Sequence, residues 1–287
     1  MKTAINTLVS ASLLAAAIVS VSAEAASASP FTSGDSITID FDEIELQGLE
    51  QTSITDQLKD QYGVSFSATK KNGTTPKELW LYNTNCNPFT PLGDLPECTG
   101  RDEDLATGTG SYIHNGWEIE YDTPEQGYAL IIQENTGRAP DDDAGGGWIN
   151  FKFDELVNFE SIGILDLDDA ADPTFELIFG DGTTQIIENL KDSDPRVSFI
   201  GTATETKVNN PNKVKEQKNN SLREYSFSAE SLQELRVKLD SSGALAHARY
   251  QKAASQTRNT AKVPEPGTAI AVVGAGLMLV STRKKES

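Results

Sequence analysis

Between residues 35 and 250, apolar and polar positions alternate with a period of two in about twelve short runs, the pattern of half-buried β-strands. The runs begin with SITIDFDEI, alternating from Ile37 to Ile44, then GVSFSAT (63–69), ELWLYNT (78–84), WEIEYD (117–122) and YALIIQE (128–134). They continue with GWINFKF (147–153), ESIGILDLD (160–168), TFELIF (174–179), TQIIENL (184–190), RVSFIGT (196–202), REYSFS (223–228) and ELRVKLD (234–240). Gly180-Asp181-Gly182 is predicted to be a hairpin turn. Only SITDQLKDQY (53–62) could form a helical turn or two, and KVNNPNKVKEQKNN (207–220) reads as a long polar hairpin or loop. Many short strands without a long amphipathic helix predict one all-β domain over 35–250, an antiparallel two-sheet β-sandwich of jelly-roll type. Residues 251–262 are poor in apolar side chains and read as a flexible linker.

The two ends break this pattern. Residues 1–25 carry one lysine, an apolar stretch from about Leu8 to Val21 and small residues offering A-x-A-like cleavage sites, the layout of a secretory signal peptide with its helix. At the other end, Thr268–Thr282 is apolar over 15 residues and is followed by Arg283, Lys284 and Lys285. A helix of that length reaches ~22 Å against a ~30 Å hydrocarbon core, so it suits a transient membrane hold better than a permanent anchor. The basic cluster would stay on the cytoplasmic side.

Val263-Pro264-Glu265-Pro266-Gly267, followed by that apolar helix and the basic cluster, resembles the PEP-CTERM sorting signal of Gram-negative bacteria. The resemblance covers residues 263–287. It implies Sec-dependent export across the inner membrane, processing by a membrane-embedded exosortase, and a final place at the cell surface or outside, in company with exopolysaccharide. A plain C-terminal membrane helix is the competing reading of the tail.

Export changes what charge and cysteine mean. The chain has 24 basic and 43 acidic residues, a net charge of −19. Without the two terminal segments, 20 basic and 40 acidic residues remain. Such a surface repels nucleic acid and anionic membranes and suits divalent cations or solubility. Cys86 and Cys98, twelve positions apart in a Pro/Gly-rich stretch, are expected to form a disulfide in an oxidising compartment.

The body carries a second resemblance. FDEIELQG, GRDEDLATG, LIIQENTGRAPDDDAGGGWINFKF and ESIGILDLDD are similar to a secreted β-sandwich domain found in PEP-CTERM proteins, over most of residues 40–250. Arg101 stands where that domain usually has glycine. The resemblance implies fold and compartment and assigns no activity.

Three stretches concentrate carboxylates: Asp102, Glu103 and Asp104; then Glu134, Asp141, Asp142 and Asp143; then Asp166 and Asp168, which share a strand face. Carboxylates beside glycine loops provide the oxygen ligands calcium takes, so Asp102, Asp104, Glu134, Asp141, Asp142, Asp143, Asp166 and Asp168 are the candidate Ca²⁺ ligands. The same residues also make ordinary solvated turns. Tyr112, Trp117 and Trp148 are candidate sugar-stacking residues; core packing is the competing role, except for Tyr112, placed in a glycine-rich loop. Glu118, Glu120 and Glu134 could be drafted as a glycosidase pair, but alternation puts Glu118 and Glu120 on the polar face of one strand. His114 and His247 are the only histidines, and no Gly-x-Ser-x-Gly is present. The reading is therefore non-catalytic: an exported, polysaccharide-associated module, calcium-dependent if the acidic loops bind. The alternatives are a structural envelope protein without a ligand, and a glycoside hydrolase.

Overall fold

The computed structural model describes residues 34–42, 53–86, 98, 102–114, 116–135, 139–167, 172–217 and 220–254. The expected signal segment 1–25, most of the linker and the tail 263–287 with its helix 268–282 lie outside the described residues. Among the described residues no helix is long and apolar enough to cross a membrane.

In chain order the strands are β1 (Ser36–Asp40), β2 (Val64–Thr69), β3 (Pro76–Lys77), β4 (Leu79–Asn83), β5 (Gly108–His114), β6 (Trp117–Thr123), β7 (Tyr128–Ile132) and β8 (Gly147–Leu165). They continue with β9 (Thr174–Phe179), β10 (Thr184–Ile187), β11 (Val197–Phe199), β12 (Thr202–Lys207), β13 (Asn210–Gln217), β14 (Leu222–Leu239) and β15 (Ala244–Lys252). One helical turn, α1 (Lys59–Tyr62), precedes β2, and a 3-10 turn spans Glu103–Leu105.

All pairings are antiparallel and make two sheets, of eleven and four strands. The all-β, two-sheet character matches the alternation. The division into eleven and four differs from the paired four-stranded sheets of a jelly roll. The cause is the length of β8 and β14, which pair with each other from end to end. The sequence pattern predicts two strands within each, because the polar residues Asp154 and Glu155 and the stretch Ser228–Ser231 resemble turns. The chain instead runs through them, and β14 absorbs the irregularity as register shifts between Ser226 and Glu234.

Those shifts bend the large sheet back on itself. The first half of β8 pairs with β2, and the second half of β14 with β9 and then β10. The second half of β8 pairs with β15, which leads to β1, β7 and β4. The two halves face each other across an apolar core: Phe153 packs on Tyr250 at 5.1 Å between ring centroids, Phe66 on Phe41 at 6.1 Å and Phe175 on Tyr225 at 5.2 Å. Phe151 is fully buried there, and truncating such a ring to alanine costs about 3–5 kcal/mol. The smaller sheet, ordered β13-β12-β6-β5, covers part of the outer face of the β4–β7–β15 region. It encloses a second cluster that includes Tyr82, Tyr112, Tyr121, Leu165 and Ala246.

Gly180–Gly182 turns between β9 and β10, as the sequence predicts. Residues 202–217, which take in most of the polar 207–220 stretch, form a hairpin of β12 and β13. Gly146, immediately before β8, sits at φ +64°, where a Cβ would lie 2.3 Å from the Leu239 carbonyl oxygen, so glycine there lets β8 start so close to the end of β14.

Candidate functional site

The three acidic stretches converge in part, around Tyr82 of β4. The Tyr82 hydroxyl donates to the Asp102 carbonyl oxygen at 2.9 Å and lies 3.8 Å from Cys86 Sγ. Cys86 is joined to Cys98 in a disulfide, which holds Cys98 against the second core. The Asp102 carboxylate accepts the Asp142 backbone N–H at 2.9 Å, and the Asp142 carboxylate accepts the Gly243 N–H at 2.7 Å. Burial and then the neighbouring Asp142, Asp104 and Asp141 charges push the Asp102 carboxyl well above the usual carboxylate range, although the N–H bond from Asp142 pulls the other way.

Asp166 is fully buried at φ +53°. Burial and the charges of Asp104, Asp166, Glu103 and Glu205 raise the Tyr112 hydroxyl far above the phenol range. Asn220 ties the node together. It accepts the Tyr112 hydroxyl at 2.9 Å, donates its side-chain amide to the Glu103 and Ala106 carbonyls, each at 2.9 Å, and donates its N–H to the Asp104 carbonyl at 3.0 Å.

The other acidic candidates are placed elsewhere. Asp143 pairs with Lys77 at 2.5 Å and accepts the Gly145 N–H, so a cation already holds its charge. Glu134 is exposed and accepts the Asn135 amide at 2.6 Å. Asp141 caps its loop through the backbone, its carbonyl accepting the Glu134 N–H. Asp168 lies outside the described residues. Among the described residues, no group of three or more histidine, cysteine or acidic side chains is set to hold a metal ion. Calcium at Asp102 and Asp142 would share both carboxylates with N–H donors.

The aromatic candidates separate cleanly. Tyr112 is corrected: it lies within β5, is 6 % exposed and spends its hydroxyl on Asn220, because the glycines beside it belong to a strand that packs Tyr112 against the second core. Trp117 is partly buried, with Lys207 and Lys213 ammonium groups 5.6 and 5.4 Å from its ring centre, so cations already occupy its face. Trp148 is partly exposed on the outer face of the large sheet and lines a groove of about 470 Å³.

The strand register builds that groove. Ser67, Asn150, Arg236 and Glu176 stand opposite one another in a single row across β2, β8, β14 and β9. The next row holds Thr69, Trp148, Lys238 and Thr174. The Asn150 amide donates to Ser67 at 3.2 Å. Arg236 donates to Glu234 at 2.6 Å and lies 3.5 Å from Glu176. Those partners hold the Arg236 pKa above its ordinary value, the Glu234 hydrogen bond first. The turn after β2 walls one side, where the Trp148 Nε1–H donates to the Lys71 carbonyl at 3.3 Å. The indole is thus held at its edge.

Sequence reasoning singles out Trp148 and misses Asn150, Glu176, Glu234, Arg236 and Ser67. Their alternation was visible, Trp148 with Asn150 and Glu234 with Arg236, but the pairing of one strand with the next was not. A larger concavity of about 880 Å³ lies at the bends of β8 and β14, between Asp154, Glu155, Asp181 and Glu230. Among the described residues its one aromatic is Phe179, and its acidic rim gives a ligand little to stack on.

Glu118 and Glu120 are exposed on the open face of the smaller sheet. The His247 Nε2–H donates to Glu224 at 2.6 Å over Gly163, where a Cβ would come within 2.4 Å of the imidazole. His114 ends β5, and its side chain is outside the described residues. No family model and no curated protein matches the chain.

Proposed function

We propose that this protein is an exported, non-catalytic β-sandwich module that associates with extracellular polysaccharide through the Trp148 groove. In this reading residues 1–25 direct Sec export and are removed as a signal helix. The 268–282 helix holds the chain in the inner membrane until an exosortase acts at Val263–Gly267, with Arg283, Lys284 and Lys285 on the cytoplasmic side. The mature domain then stands at the cell surface or in the extracellular matrix. The Cys86–Cys98 disulfide and the acidic surface suit that compartment.

The observation that carries the binding half is the groove: one partly exposed indole, fixed at its edge, beside a row of side chains with several donors and acceptors. Sugars are bound by this combination of an apolar ring face and polar neighbours, and the groove volume falls in the range of ligand sites. Calcium enters the reading as an optional cofactor at Asp102 and Asp142.

Two measurements test the proposal. Cell fractionation with terminal mass analysis should recover a chain beginning near residue 25 and ending near residue 263 outside the inner membrane. A full-length reduced chain in the cytosol contradicts export. Retention on immobilised polysaccharide, lost in Trp148→Ala, tests the groove.

A further inference from the structure

We infer that the groove takes the interior of a neutral glycan chain, with Arg236 as the residue that sets this specificity; the inference rests on the polysaccharide reading above.

The first argument is charge. On a chain of net charge −19, a polyanion is repelled by the whole surface and needs a local excess of cations to bind. The lining offers none: its two cations, Lys71 and Arg236, are matched by Glu176 and Glu234, and the exposed Lys152 of the flanking row stands beside Glu234. Arg236 is shared between Glu234 and Glu176, and Lys71 and Lys238 both lean on Asp240, at 4.0 and 2.8 Å. The same pairing defeats a polycation, because both carboxylates lining the groove, Glu176 and Glu234, already face the guanidinium. What the ion pairs keep is hydrogen-bonding capacity. A guanidinium has five donors and each carboxylate about four acceptor sites, more than their mutual contacts use. Hydroxyl groups can bridge such a fork without bringing charge.

The second argument is shape. The site is a row across four strands, on the order of 14 Å at ~4.8 Å per strand. That exceeds one sugar ring. A polar row lies on either side of it. One is Thr69–Trp148–Lys238–Thr174; the other contains Ser65, Lys152 and Glu234. The turn at Lys71–Gly73 walls one flank only. A chain can therefore enter and leave along the sheet, and among the described residues no element is positioned to recognise a chain end.

The test uses the purified full chain and its variants on three immobilised polymers: a neutral linear glucan, a polyuronate and a deacetylated polyglucosamine, each at low and high salt. The expected result is retention on the neutral glucan that salt leaves within about twofold, weakened about tenfold or more by Trp148→Ala and by Arg236→Gln. Since Arg236→Gln could loosen the sheet, Glu176→Gln is measured beside it; it leaves the row in place and should weaken retention severalfold. Competition by reduced and by internally protected oligosaccharides should be equal if chain ends are ignored.

Preferential retention on either charged polymer, falling steeply with salt and still lost in Trp148→Ala, overturns the neutral assignment and leaves the groove as the site. Neutral-glucan binding that survives Trp148→Ala, or no binding to any of the three polymers, overturns the groove reading and this inference with it.

Discussion

The Asp142 backbone N–H points at the Asp102 carboxylate from 2.9 Å, across forty positions of sequence, and the two acidic side chains share one partly buried node. Forcing carboxylates together in a protein of net charge −19 has consequences that can be measured.

The first concerns pH. The folded Asp102 carboxyl is raised from 3.8 to about 9, by burial first and then by Asp142. Between those values the folded state holds a proton that the unfolded chain has released. The contribution of Asp102 is therefore most favourable below its unfolded value and is lost as pH rises towards 9. Asp102→Asn keeps an oxygen for the Asp142 N–H and removes the titration. We expect this variant to melt several degrees above the parent at pH 8 and to match it near pH 4, at ~2–4 °C per kcal/mol. Calcium bound at the node would stabilise the parent at pH 8 by ~2.7 kcal/mol at a hundredfold its dissociation constant, and Asp102→Asn much less. Thermal melts with calcium and with chelator read both effects.

The second concerns the acid limb. Burial alone would raise Glu224, but hydrogen bonds from His247 and Ser161, with the charges of His247 and Arg249, outweigh it and leave the carboxyl below its ordinary 4.5. Its stabilisation is present above that value and is lost as pH falls through the lower folded one. His247→Ala removes the principal donor. The variant should lose about 1–3 kcal/mol at pH 7 and unfold at a higher pH on the acid side, seen in urea titrations between pH 3 and 7. Gly163→Ala, whose Cβ collides with the imidazole, should reproduce the loss without changing any charge.

The third concerns the disulfide. The two cysteines are twelve positions apart, and reducing the bond frees Cys98 from the second core, beside the Tyr82–Asp102 hydrogen bond. Paired Cys86→Ser and Cys98→Ser substitutions should cost about 2–4 kcal/mol in denaturant titrations. Alkylation before intact-mass measurement should find no accessible thiol in the parent.

The fourth concerns Arg223, which is 1 % exposed. Asp192 lies 3.9 Å away, the Phe199 ring centre lies 5.2 Å from its guanidinium, and among the described residues its nitrogens make no hydrogen bond of good geometry, although its charge and a weak contact pull the buried Tyr225 hydroxyl downward against burial. A buried guanidinium paired at such poor geometry with a half-exposed carboxylate does not recover its desolvation cost. Arg223→Met should be neutral or raise the melting temperature. Asp192→Ala should lower it, because the charge stays buried with less compensation.

Alternation along the chain determined which residues of each strand face inward. In β1, Ile37 and Ile39 are buried between exposed Ser36 and Thr38, and β9 follows its predicted bounds of 174–179. The cysteine pair was legible because twelve residues rich in proline and glycine can close on themselves. These signals are local: they depend on residues one or two positions apart, or on a short loop.

Tertiary structure alone decided that β8 and β14 run unbroken through their polar middles, because end-to-end pairing satisfies backbone groups that a turn would otherwise expose. It also decided which acids meet. Asp102 reaches Asp142, while Asp143, one residue further, pairs with Lys77. The row Ser67–Asn150–Arg236–Glu176 has the same origin: each residue's face follows from its own strand, but its neighbours follow from register, and register is set by the packed whole.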